Sequence, residues 1–173
     1  MKLGVCLTLF MVMLQSGQPP RGTDRFVTVN SLRIHYLDWG GEGKPPLIML
    51  HGIGRVAHTF DHIAPHFTGK YHVRAIDMRG HGDSGWDPKG AYLVEDYTKD
   101  IEALAEQLRL RNIVVWGNST GGRVAQVFAG LHPELAPKTS VRSGRARSRM
   151  VSPRASNERM QPAGPRKKTC WRA

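Results

Sequence analysis

A chain of 173 residues is long enough for one globular domain but short for a complete α/β enzyme. The formal net charge of +11 suggests a nucleic-acid or acidic-membrane partner at first sight. Residues 136–173 alone carry +10 of it, eight Arg and three Lys against the single acid Glu158, which leaves +1 for residues 1–135. Two cysteines at opposite ends, Cys6 and Cys170, and eight histidines without zinc-type spacing argue against a disulfide framework and against a metal site.

In chain order, the first segment is apolar. Lys2 precedes an almost unbroken apolar run over residues 3–14, and Gln15-Ser16-Gly17 follows with small residues. The run is too short to cross a bilayer as a helix, which takes about 20 residues. Residues 1–17 therefore read as a signal peptide, which implies a secreted or periplasmic chain, or as a plain apolar extension of a cytoplasmic one. Residues 18–24 form a polar connector. Residues 26–29 and 32–37 read as two strands joined at Asn30-Ser31, with Leu32, Ile34 and Tyr36 on one face at period 2. After turn residues 40–46, residues 47–50 are apolar throughout, as suits a strand buried on both faces of a parallel sheet.

From here the pattern alternates. Val56, Phe60, Ile63 and Phe67 fall at helical spacing, in a helix that Pro65 must shorten or kink. Residues 73–78 read as a strand. Val94, Tyr97, Ile101, Leu104 and Leu108 predict an amphipathic helix. Residues 113–116 are a further buried strand, and Val124, Val127, Phe128 and Leu131 mark a helix after it. A hairpin followed by alternating strands and helices predicts an α/β fold, a mostly parallel sheet with helices on both faces. At Ala136 the character changes. The last 38 residues contain no Leu, Ile, Phe or Tyr, so 136–173 is expected to be a basic, disordered tail.

Three strings carry chemistry. Gly117-Asn118-Ser119-Thr120-Gly121-Gly122 follows a buried strand and opens a helix, the setting in which G-x-S-x-G lifts a serine clear of a sheet on a strained turn. The helix N-terminus beneath it favours developing negative charge. His51-Gly52-Ile53-Gly54 follows the strand at 47–50. Asp77-Met78-Arg79-Gly80-His81-Gly82-Asp83-Ser84-Gly85 closes the strand that starts near Val73. In this order the strings resemble the α/β-hydrolase superfamily, in its serine-nucleophile branch, over residues 25–135. The resemblance implies Ser119 as nucleophile, the backbone N–H groups of Ile53 and Thr120 as an oxyanion hole, and His51 as a buttress of the loop rather than a base. It implies structural roles for Gly52, Gly54, Asp77, Arg79, Gly80, Gly82, Gly117, Gly121 and Gly122, with His81 and Asp83 outside the chemistry. The G-N-S-x-G-G form looks most like members that hydrolyse esters, lactones or carbon–carbon bonds. The related haloalkane dehalogenase and epoxide hydrolase branches use aspartate at this position.

A serine hydroxyl needs a base to take its proton, and in this fold the order is Ser, then Asp or Glu, then His. The only histidine after Ser119 is His132, nearly 20 Å along a helix at ~1.5 Å per residue. The only later acids are Glu134 and Glu158. The expectation is an incomplete hydrolase domain, truncated after the elbow helix and weakly active or inactive, as a change of reading frame near Leu135 would leave. The alternative is a non-catalytic fragment or binding protein whose basic tail contacts nucleic acid. An acyl-type small molecule is the expected substrate, with no cofactor, no metal and no nucleic-acid partner.

Overall fold

The computed structural model describes residues 21–142 and 149–151. The expected signal segment at 1–17 and most of the expected tail lie outside the described residues. Strands β1 (Thr23–Val29) and β2 (Leu32–Asp38) form an antiparallel hairpin. Its turn residues Asn30 and Ser31 both take positive φ, 49° and 64°, as a two-residue turn matched to strand twist requires. β1 takes in the last two residues of the expected connector, Thr23 and Asp24.

β3 (Pro46–Leu50), β4 (His72–Ile76) and β5 (Val114–Asn118) pair in parallel, in the sheet order β1-β2-β4-β3-β5-β6-β7. The unbroken apolar run of β3 serves two faces. Ile48 and Leu50 pack with Ile101 and Leu104 of helix α1 (Val94–Gln107) and with Val124 and Phe128 of helix α2 (Thr120–Leu131). Leu47 and Met49 pack on the other side with Phe60, Val73 and Ala75. Each such side chain, fully buried, stabilises the fold by roughly 1.5–3 kcal/mol.

Three features differ from the sequence expectation. The segment from Val56 to Phe67 is two 3-10 turns, Ala57–Phe60 and Ala64–Phe67, instead of a kinked helix. Pro65 has no N–H to give a continuous helical ladder, and only Ala57, Phe60 and Ala64 of these turns are buried. As a result both described α-helices lie on one face of the sheet, with the 3-10 turns on the other. On that second face an open cavity of about 280 Å³ runs among Leu47, Met49, Val114, Trp116, Phe67 and Tyr71.

The third difference concerns residue 135 as a boundary. Lys138–Arg142 forms β6, parallel to β5, and Arg149–Val151 forms β7, antiparallel to β6. Ala136, Thr139 and Ser140 are buried. Composition hid this strand because a strand at this place needs backbone pairing and small or β-branched residues more than large apolar ones. None of the described helices is long and apolar enough to cross a membrane.

Candidate active site

Ser119 is the residue between β5 and α2, with φ 53° and ψ −116°. That combination lies outside the left-handed helical well and is rare for any residue but glycine, at a cost of about 1–3 kcal/mol. What holds it there is close packing. The Gly121 N–H donates to the His51 carbonyl at 3.0 Å, and a Cβ on Gly121 would meet the carbonyl oxygens of Leu50 and His51. A Cβ on Gly117 would likewise strike the Gly121 backbone. α2 therefore starts hard against the end of β3, and Ser119 is exposed above the junction. Gly122 is buried in the first turn of α2.

The loop after β3 runs beside the serine. A Cβ on Gly52 would sit 3.1 Å from Ser119 Cβ and 3.7 Å from its Oγ. Gly54 has φ 71°, and Ile53 is 60% exposed. Among the described residues neither the Ile53 N–H nor the Thr120 N–H has a hydrogen-bond partner; the second belongs to the first helical turn, whose donors have no intrahelical acceptor. The His51 ring is fully buried beneath this loop. Its Nε2 accepts the Met78 N–H at 3.0 Å, so its proton is on Nδ1 and is donated to the Gly52 carbonyl at 2.8 Å. Burial pushes this imidazole below its ordinary range, and nearby His81 adds to the effect, against the opposing pull of the Gly52 carbonyl and Asp77.

The third string is a brace. Asp77 Oδ1 accepts the Ala57 N–H, and Oδ2 takes both His35 Nδ1 at 2.8 Å and the Asp83 N–H at 3.1 Å. Gly82 passes so close that a Cβ there would overlap the Asp77 carboxylate. The Arg79 guanidinium is bidentate on Asp100 of α1, with both contacts 2.6 Å, and also donates to the Ala91 carbonyl at 2.9 Å. Gly80, at φ 71°, lies against the Tyr92 ring. His81 turns its Nδ1 to the Arg79 carbonyl and its ring to His51, 5.0 Å between centroids. Asp100 and His35 were not singled out in the sequence. Asp100 had a visible signal, an acid one residue before Ile101 on the apolar stripe of α1, where burial of a carboxylate demands a partner.

Among the described residues two clusters have the residue types of metal ligands, His35 with Asp77 and Asp83, and Asp38 with Glu42 and His72. In the first the carboxylate lone pairs of Asp77 already face proton donors. In the second Asp38 accepts from Gly40 N–H and His72 and is flanked by Arg74.

All eight histidines lie among the described residues. None makes a hydrogen bond to Ser119. His132 caps the far end of α2, with Nε2 at 2.9 Å from Glu102. His35 and His72 are committed to carboxylates, His58 pairs with Asp61, His62 is exposed between the two 3-10 turns, and His66 is exposed on the second. The site thus gathers an exposed strained serine, a helix N-terminus and a loop with a free N–H.

A hairpin whose second strand pairs antiparallel with the edge of a parallel sheet of order 4-3-5-6, with a strained serine between β5 and the next helix, defines a class of hydrolase fold. Residues 45–144 match the family model of the α/β hydrolase fold, and the chain belongs to that family. It is 31% identical over 128 residues to mouse Epoxide hydrolase 4, a match covering 72% of this chain and 36% of that protein. It is 34% identical over 98 residues to a zebrafish serine hydrolase-like protein, covering 56% of this chain and 30% of that one. Among solved structures, an α/β hydrolase from Novosphingobium aromaticivorans superposes with a TM-score of 0.66 at 30% identity, covering 72% of this chain and 45% of that one. The chain spans about a third of the length of the curated relatives it matches.

Proposed function

We propose that this chain carries the nucleophile and oxyanion portion of a serine hydrolase acting on an ester, lactone or activated carbon–carbon bond. Ser119 Oγ attacks the acyl carbon, and the N–H groups of Ile53 and Thr120 receive the negative charge that develops on its oxygen. The observation that carries this reading is the φ 53°, ψ −116° geometry of an exposed Ser119 beside Gly52. A hydroxyl at this turn also sets the chain apart from epoxide-opening chemistry, for which the family resemblance implies a carboxylate nucleophile. The zebrafish relative, described as serine hydrolase-like, is in keeping with it.

No described imidazole reaches Ser119, so turnover by the chain as written is expected to be weak or nil. That same observation favours the second reading, a non-catalytic fragment or binding protein. External imidazole tells the two apart, because it can take the Ser119 proton that no protein group takes. With a fluorophosphonate probe, the serine-hydrolase reading expects labelling at Ser119 that rises with imidazole concentration and is absent from Ser119→Ala. Hydrolysis of a nitrophenyl ester above the rate that imidazole alone gives should show the same dependence. Hydrolysis that survives Ser119→Ala moves the nucleophile elsewhere, and imidazole-independent silence at Ser119 supports the non-catalytic reading.

A further inference from the structure

We infer that the apolar run at residues 3–14 docks on the open cavity of the sheet's second face and closes it in the unprocessed chain. The cavity, about 280 Å³, is lined by Leu47, Met49, Val114, Trp116, Phe67 and Tyr71. Ser140 adds one hydroxyl, and no charged side chain takes part. Leu47, Met49 and Val114 are buried in the sheet, and Phe67 stands exposed at the rim. Apolar side chains that fill such a hollow leave water and make the dispersion contacts its walls lack.

The place where the chain enters the domain selects the occupant. A Cβ built on Gly22 would lie 2.8 Å from Leu37 Cβ and 2.9 Å from the Trp39 ring, and both residues belong to the second face. The Trp39 N–H donates to the Val73 carbonyl, Val73 pairs with Leu47, and Leu47 pairs with Val114. Gly22, Trp39, Val73, Leu47 and Val114 therefore form one row across the sheet, and the cavity begins at Leu47. At ~4.8 Å per strand, Leu47 lies three strands, or ~14 Å, from Gly22. Residues 15–21 extend to at most ~25 Å, so the apolar run reaches the cavity with slack. Twelve residues at helical rise cover ~18 Å, more than the ~10 Å from β3 across β5 to β6.

The pattern of the run fits this seat. Leu3, Leu7, Phe10 and Leu14 recur at helical spacing on one side, with Gly4, Thr8 and Val12 opposite. The Trp39 indole N–H, beside Gly22, is buried and has no acceptor among the described residues. A connector carbonyl crossing Trp39 on the way to the cavity supplies one. The other end outside the described residues, 152–173, is dominated by Arg and Lys and offers only Met160 and Trp171 as large apolar side chains. Burying its charges in this hollow would be costly. The inference is independent of the chemistry at Ser119, because β5 starts at Val114 beside the cavity and ends just before Ser119.

The test uses the full chain with a nitroxide label. Thr8→Cys, combined with Cys6→Ser and Cys170→Ser, places the label on the side away from Leu3, Leu7, Phe10 and Leu14. Methyl NMR should then show strong paramagnetic broadening at Leu47, Met49 and Val114, and much weaker broadening at Ile101 and Val124 on the helical side. Leu7→Asp together with Phe10→Asp is expected to abolish that difference. A mixture of nitroxide-bearing chain and isotope-labelled chain without nitroxide should show no broadening between copies. Equal broadening on both sides overturns the inference, as does a difference that survives the double Asp variant. Transfer of the broadening between copies makes a second chain the occupant, and recovery of the chain cut near Gly17 makes the run a removed leader; either result overturns it. If the double variant fails to fold, the comparison of the two sides in the parent labelled chain still decides.

Discussion

The Arg79 guanidinium is held in plane by both oxygens of Asp100, and Asn30 in the hairpin turn donates to the same carboxylate at 2.9 Å. Three distant stretches thus meet on one buried acid, and the ion pair raises the Arg79 pKa further above its already basic value. Asp100→Asn keeps the shape and leaves the buried cation with only the looser carboxylate of Asp87, at 3.6 Å, a loss of up to about 3–5 kcal/mol. Urea denaturation should show that loss, and an unchanged midpoint would mean that water reaches Arg79. His51 acts in the opposite sense, because its folded pKa lies below the unfolded one. The unfolded chain then takes up the proton first, so this contribution is complete above the ordinary imidazole range and is lost as pH falls below about 6.5. His51→Asn should flatten that acid slope in a denaturation series run from neutral pH downward. Ser119, His51, Asp77 and Arg79 could be singled out from local strings. His35 could not, because its partner Asp77 lies 42 residues away in sequence, and Asp100 showed only as an acid on the apolar stripe of α1, with nothing local to name Arg79, 21 residues away, as its partner.

At the scale of elements, the β5–α2 junction decides whether Ser119 can stand where it does. Adding a methyl at Gly121 drives it into the carbonyls of Leu50 and His51, backbone atoms with no room to retreat. Gly121→Ala should destabilise by about 1–3 kcal/mol or more, as overpacking does. Gly130, on the same helix, is exposed and has nothing within 4 Å of a new Cβ. Gly130→Ala should stabilise by about 0.5–1 kcal/mol through helix propensity. Opposite signs from two identical substitutions on one helix, read by thermal unfolding, isolate the close approach as the cause, and equal signs would remove it. The period of α1, the alternation in β2 and the apolar run of β3 were legible because burial on one or two faces imprints a repeat on the sequence. The segment after β3 was not, since four apolar residues at helical spacing fit two 3-10 turns as well once Pro65 interrupts the ladder.

At the scale of the molecule, the question is how far the sheet extends. Judged by composition, everything after Leu135 falls in one class, because Lys138–Arg142 contains a single large apolar residue. Pairing is decided by other means. Val114 to Asn118 of β5 presents one edge to β3 and the other to β6, in register Val114 with Lys138 through Asn118 with Arg142. Buried Ala136 and the Leu135 carbonyl, which accepts the Ile113 N–H at 2.7 Å, bring the chain back to the sheet before β6 begins. Parallel pairing engages alternate amides of each strand, and those amides should be shielded from solvent. Hydrogen exchange followed by mass spectrometry on the intact chain should therefore show protection in a peptide covering 138–142, approaching that of β5 and well above that of the exposed loop around Gly90. Exchange at the rate of an unstructured chain in that peptide would return the boundary to Leu135 and leave β5 as the edge of the sheet. Protection, by contrast, ties the stability of the Ser119 turn to residues beyond α2. β5 ends at the residue before Ser119, and a strand paired on both sides resists the local opening that would relax a strained turn.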